Sequence, residues 1–106
     1  MRAYSPLELK ARLESGAPGP LLVDVREPWE YEICRIDGSV NFPLGGFAAR
    51  VEGLPRDREL VLICHHGMRS LQACGFLVRL GFTEIVNLDG GVDAWADFVE
   101  RDMARY

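Results

Sequence analysis

The sequence predicts an α/β fold: one domain over residues 1–106, with a mostly parallel central sheet and helices on both faces. Three observations carry this. Short apolar runs alternate along the chain with segments of helical periodicity. The run Leu60-Val61-Leu62-Ile63 is apolar throughout, as in a strand of a parallel sheet that is buried on both faces. Capping residues and glycines punctuate the helical segments, which leaves right-handed crossovers as the connections between parallel strands.

Ser5-Pro6-Leu7-Glu8 is a capping box with proline at the first helical position, and Leu7, Leu9 and Leu13 are expected on or near one face before Gly16 stops the helix. The amino terminus is read as running directly into that helix. Leu21 to Val25 follows as a strand. Pro28 to Ile33 reads as a short acidic-aromatic helix, Ser39 to Phe42 as a short strand, and Phe47 to Val51 as another short helix before a turn at Leu54-Pro55-Arg56-Asp57. Leu60 to Ile63 is the central strand. Arg69 to Leu80 continues as a helix with Leu71, Cys74, Leu77 and Val78 expected inward, and Gly81 caps it. Ile85 to Leu88 forms the last strand, and a helix from about Val92 closes the chain. No internal repeat, linker or low-complexity segment interrupts this order.

The 106 residues, 48% hydrophobic and 26% charged, are ordinary for a globular domain large enough to bury a core. A net charge of −4 gives no basic face, so nucleic acid is not an expected partner. No stretch approaches the roughly 18 apolar residues of a membrane span, and no signal-peptide core precedes Pro6, so neither a membrane nor export is expected. Three cysteines at irregular spacing fit a reducing compartment, the cytoplasm, better than a disulfide framework.

The chemistry concentrates at Cys64-His65-His66-Gly67-Met68-Arg69-Ser70. An apolar strand ends on a cysteine, and a tight polar loop then opens a helix. Ligands of parallel sheets bind beyond the carboxyl ends of the strands, where Cys64 stands. Successive loop N–H groups and the positive end of the helix dipole favour a charged sulfur or an oxyanion there, and the thiolate is the reactive form of cysteine. Cys74, on the inner face of its helix, reads as an inert apolar residue. Gly67 is expected at positive φ so that the loop can curl, and Met68 on the rim or packed beneath it. Arg69 has two readings: positive potential in the pocket, or an outward turn that locks the loop through a carboxylate, with Asp24 and Glu27 as candidates. Asp24 and Arg26 are read as an architectural pair at a strand end, and Ser70 as a helix cap or a donor to the loop. His65 and His66 beside Cys64 invite a metal reading, but neighbouring residues on a tight loop are expected to point apart, so no metal and no organic cofactor is expected.

Four blocks in order resemble the rhodanese-like sulfurtransferase family. Leu22-Val23-Asp24-Val25-Arg26-Glu27-Pro28-Trp29-Glu30-Tyr31 is similar to its "DVRE…EY" signature, and Ile36-Asp37-Gly38-Ser39-Val40-Asn41-Phe42-Pro43 to its "I-x-G-A-x-N-x-P" continuation. Cys64 to Arg69 resembles the C-x-x-G-x-R active-site loop, and Asn87-Leu88-Asp89-Gly90-Gly91-Val92-Asp93-Ala94-Trp95 the closing "L-x-GG-x-x-x-W". The likeness covers nearly the whole chain. It departs at Cys34 and Arg35, where the family usually has glycine and histidine. Cys34 is either a tolerated cysteine or a resolving thiol, the latter needing a Cα separation of about 5.5–6 Å from Cys64. The position of His65 often carries arginine in the family, so here that charge is expected to depend on pH.

The resemblance implies a double displacement. Cys64 takes the outer sulfur of a thiosulfate-like donor as a persulfide, and cyanide or a thiol then removes it, with loop N–H groups stabilising the charges. A persulfide relay or regulatory module docking an acceptor protein is an alternative from another class. A cysteine-loop phosphatase or arsenate reductase is a further one. The six-residue loop from Cys64 to Arg69 disfavours it, because the related phosphatases resemble C-x5-R and their longer loop admits a tetrahedral oxyanion.

Overall fold

The computed structural model describes residues 1–16 and 18–106. Five parallel strands, β1 (Arg2–Tyr4), β2 (Leu21–Asp24), β3 (Val40–Asn41), β4 (Leu60–Ile63) and β5 (Ile85–Leu88), form one sheet in the order β1-β5-β4-β2-β3. The helices are α1 (Pro6–Glu14), α2 (Pro28–Ile33), α3 (Phe47–Arg50), α4 (Met68–Arg79) and α5 (Gly91–Phe98). Short 3-10 turns at Leu44–Gly46 and Val51–Gly53 flank α3. The mostly parallel α/β architecture expected from the sequence is present, and every described strand pairing is parallel.

The alternation of side chains along β4 builds two cores and aims the cysteine. Leu60, Leu62 and Cys64 face one side, packing with Phe47, Val51, Ala73, Cys74 and Leu77 from α3, the following turn and α4. Val61 and Ile63 face the other side, against Leu9 of α1 and Val92 and Trp95 of α5. Every residue of β4 is buried, which is why the run carries no polar residue. Cys64 continues the period of two and so lies under the start of α4.

Three expectations need correction. Residues 2–4 form an edge strand beside β5, with Ala3 opposite Asn87, before Ser5 caps α1 through the capping box. A three-residue edge strand has no periodicity to read in the sequence. In α1 only Leu9 is fully buried, while Leu7 is exposed and Leu13 lies at the margin. In α4 the buried stripe is Ser70, Ala73, Cys74 and Leu77, at i, i+3, i+4 and i+7, and Leu71 and Val78 are exposed. The stripe is turned by one position because Ser70 takes the inward site next to Cys64.

No described helix is long and apolar enough to cross a membrane.

Candidate active site

The loop between β4 and α4 is held from outside by its carbonyl groups. The Val92 N–H of α5 donates to the Cys64 carbonyl at 2.9 Å, and the Asp93 N–H donates to the His65 carbonyl at 3.1 Å. The Asn87 side-chain amide of β5 donates to the Gly67 carbonyl at 3.2 Å. A trans peptide directs its N–H opposite to its C=O, so the N–H groups of His65, His66 and Met68 turn away from α5 and β5. The N–H groups of His65 and His66 donate to no backbone carbonyl among the described residues. Gly67, at φ +99°, reverses the chain and points its own N–H at Cys64 Sγ, 3.0 Å away.

Gly91 makes this anchoring possible. It sits at φ +61°, and a Cβ there would overlap the carbonyl groups of Cys64 and His65. In the sequence Gly90-Gly91 reads only as a tight turn, and the close approach is not visible there. The pair of glycines at the start of a helix is its only local signal.

Cys64 is 1% exposed, so its sulfur lies at the bottom of the cradle. Ser70 does not cap α4 and reaches the loop through the Cys64 sulfur. Its Oγ lies 3.3 Å from Cys64 Sγ and donates to Asn87 Oδ1 at 2.6 Å. Asn87, a buried polar residue in an otherwise apolar strand, thus orients Ser70 and ties down Gly67 at once. Sequence reasoning missed it, although an asparagine in the run Ile85-Val86-Asn87-Leu88 demands partners that a core does not offer. Met68 stands on the rim, 70% exposed. Cys74 is fully buried, and burial pushes its thiol up to about 12, as suits an inert core residue.

The cationic side chains near the loop are committed elsewhere. Arg69 takes the outward reading, with two parallel bonds to Glu30 at 2.6 and 2.8 Å. Its partner is neither Asp24 nor Glu27. Asp24 is already occupied by Arg26, and Glu30 of α2 presents a buried carboxylate. Arg26 is wholly buried and uses every guanidinium hydrogen. Nε and Nη2 bond Asp24, Nη2 also reaches the Cys34 carbonyl at 2.6 Å, and Nη1 reaches the Glu30 carbonyl and the Tyr106 hydroxyl. Burial opposes its charge, and the Asp24 and Tyr106 hydrogen bonds outweigh that and raise its pKa. Cys34 Sγ lies 3.6 Å from Arg26 Nη1 and lends its backbone to the same arginine.

Tyr106 joins these groups, since its hydroxyl donates to Glu30 Oε2 at 2.8 Å and its ring packs against His65 at 4.4 Å between centroids. Nothing in the sequence signalled this contact. His65 is mostly covered, and burial followed by the neighbouring His66 lowers its pKa, so its positive charge is withdrawn near neutral pH. The two histidines do not diverge as expected. Both Nε2 atoms face Asp93, at 3.9 Å for His65 and 3.5 Å for His66.

A rhodanese-like domain profile matches residues 5–98. The chain belongs to the rhodanese-like domain family. It is 33% identical over 100 residues to a thiosulfate sulfurtransferase GlpE of Pseudomonas fluorescens, covering 94% of this chain and 89% of that protein. It is 39% identical over 104 residues to a probable adenylyltransferase/sulfurtransferase MoeZ of Mycobacterium tuberculosis, covering 96% of this chain but only 26% of the relative's length. The crystal structure of a rhodanese-related protein from Thermoplasma volcanium superposes with a TM-score of 0.83 at 32% identity, over 92% of each chain.

Gly91→Ala is expected to cost on the order of 2–4 kcal/mol by displacing the loop, whereas Gly53→Ala, with open space around it, changes little. Urea unfolding of both variants checks this. In the Glu30–Arg69 pair, chiefly the Arg69 hydrogen bonds, helped by the Glu27 amide and the Tyr106 hydroxyl against burial, hold Glu30 down at about 2. A folded pKa below the unfolded value of about 4.3 gives stability that is present above pH 4.3 and lost as pH falls toward 2. By pH 3 the loss is on the order of 1–2 kcal/mol, and Glu30→Gln removes that part of the acid dependence in urea titrations at pH 5 and 3.

Proposed function

We propose that residues 1–106 act as one sulfurtransferase domain that moves a sulfane sulfur from a thiosulfate-type donor to a nucleophilic acceptor through a persulfide on Cys64. The observation that carries this reading is a buried sulfur under an inward-pointing loop amide, at the start of a 12-residue helix. The relatives named sulfurtransferases support it.

In the first half-reaction the Cys64 thiolate attacks the outer sulfur of thiosulfate. A sulfur–sulfur bond forms to Cys64, the donor's own sulfur–sulfur bond breaks, and sulfite leaves with the electron pair. In the second, cyanide or a thiolate attacks the outer persulfide sulfur and returns Cys64 as thiolate. Neither step needs a proton or a metal. The loop amides and the α4 dipole offset the negative charge on sulfur at each stage. Ser70 follows that charge. It has one hydroxyl hydrogen and two acceptors, Asn87 Oδ1 and Cys64 Sγ, and turns toward sulfur when sulfur carries charge.

Arg69 and Arg26 serve as braces, because their guanidinium groups are bound to Glu30 and Asp24. The pocket therefore attracts its donor with backbone dipoles. The acceptor is a small thiol, cyanide in an assay, or a protein that receives the persulfide sulfur. The reducing conditions of the cytoplasm suit three free cysteines.

The central test is intact mass after incubation with thiosulfate. The wild type is expected to gain one sulfur atom on Cys64 and release it to cyanide as thiocyanate. Cys64→Ser gains none and turns over nothing, and Cys74→Ser keeps most of the activity. Normal turnover in Cys64→Ser would overturn the mechanism. Ser70→Ala is expected to lower kcat/KM for thiosulfate about tenfold, as befits one lost hydrogen bond to a charged sulfur. A steady-state comparison of the two proteins, with circular dichroism to confirm folding, measures it.

A further inference from the structure

We propose that His65, His66 and Asp93 form a three-ligand site for a single zinc-type divalent cation at the rim of the Cys64 loop. One ligand atom from each of His65, His66 and Asp93 lies within 4.8 Å of the other two. In a tetrahedral zinc site with bonds of about 2.0–2.2 Å, ligand atoms stand about 3.3–3.5 Å apart. The 3.5 Å between His66 Nε2 and Asp93 Oδ2 is already that spacing, while His65 Nε2 lies 3.9 Å from the other carboxylate oxygen, Oδ1, so the two rings and the carboxylate must draw together around the ion.

The frame that carries the ligands is fixed. The Asp93 N–H donates to the His65 carbonyl, so the backbones of two ligands are bonded to each other, and Gly91 allows that approach. The His66 ring is exposed, so little packing holds it in one rotamer. Two imidazoles and one carboxylate suit zinc, copper, nickel or cobalt, whereas magnesium and calcium prefer all-oxygen shells. Three protein ligands leave a fourth position open to solvent or to a small anion.

Arg105 competes for this site. Its Nη2 holds Asp93 Oδ1 at 2.6 Å, while Nη1 holds Asp97 at 2.8 Å. A cation that takes Asp93 leaves Arg105 with Asp97, so the exchange strands no charge. This competition separates the proposed site from a pair of surface histidines, because the arginine matters only if Asp93 is a ligand.

The proposal does not rest on sulfur transfer, and its test is a binding measurement. Isothermal titration calorimetry with zinc chloride is run on the full chain without a histidine tag, in a Cys64→Ser background that removes the thiolate. One equivalent is expected to bind. His66→Ala and Asp93→Asn are expected to weaken binding about tenfold or more, and Arg105→Gln to strengthen it several-fold. His66→Ala alters only an exposed ring, so it stays decisive even if Asp93→Asn fails to fold. Absence of binding in the Cys64→Ser background, affinity indifferent to His66→Ala, or affinity unchanged by Arg105→Gln would each overturn the site.

Discussion

The structure depends on the orientation of the peptide planes between Cys64 and Met68. Backbone amides cannot aim at one point unless their carbonyls find donors on the opposite side, because each plane carries both groups. The start of α5 and the side chain of Asn87 accept that duty by donating to the carbonyls of Cys64, His65 and Gly67. Donors at a helix start are otherwise unpaired, so α5 and the loop satisfy each other. Glycine at position 91, the first of α5, follows from this, since any side chain there would occupy the space the carbonyls need.

Charge around the site is arranged in pairs that stiffen the scaffold. Asp24 and Arg26 are removed from water altogether, a costly placement that holds only because every guanidinium hydrogen has an acceptor. The same arginine joins the end of β2 to α2, to the segment after α2 and to Tyr106. Glu30 then carries the connection onward to Arg69 in the first turn of α4. The cradle is thus clamped from β2 on one side and from α5 and β5 on the other. Loop amides keep their direction while charge on the sulfur changes, and that preorganisation gives dipoles their strength in a dry site.

Much of this was legible in the sequence. The apolar run ending on Cys64, the capping box at Ser5 and the helix signal at Pro28 each follow from local rules, and the strands Leu60–Ile63 and Ile85–Leu88 have the bounds expected. What escaped reading depends on distant contacts. Whether Arg69 faces inward is decided by Glu30, 39 positions away. The stripe of α4 is set by Ser70 meeting Asn87 of β5, and no periodicity within α4 encodes that. The histidines converge because Asp93 stands across the loop, which spacing along the loop does not contain. Tyr106 was invisible for the same reason, as its hydroxyl matters only through partners 76 and 80 positions earlier.

Burial of Cys64 bears on what the proposed cradle can handle. Reactive cysteines are generally accessible, yet Cys64 is 1% exposed beneath its own loop. A six-residue loop with one amide already 3.0 Å from the sulfur leaves little room above it. A tetrahedral oxyanion bonded to that sulfur would need three further oxygens inside the same ring of amides. A single outer sulfur needs none, and in the proposed persulfide its charge is opposed by the loop amides, which turn away from α5. The geometry therefore favours a reaction in which one atom crosses the rim and the rest of the donor stays outside it. That preference comes from loop length and peptide orientation, so changing side chains on the rim would tune affinity without converting the site to phosphate chemistry.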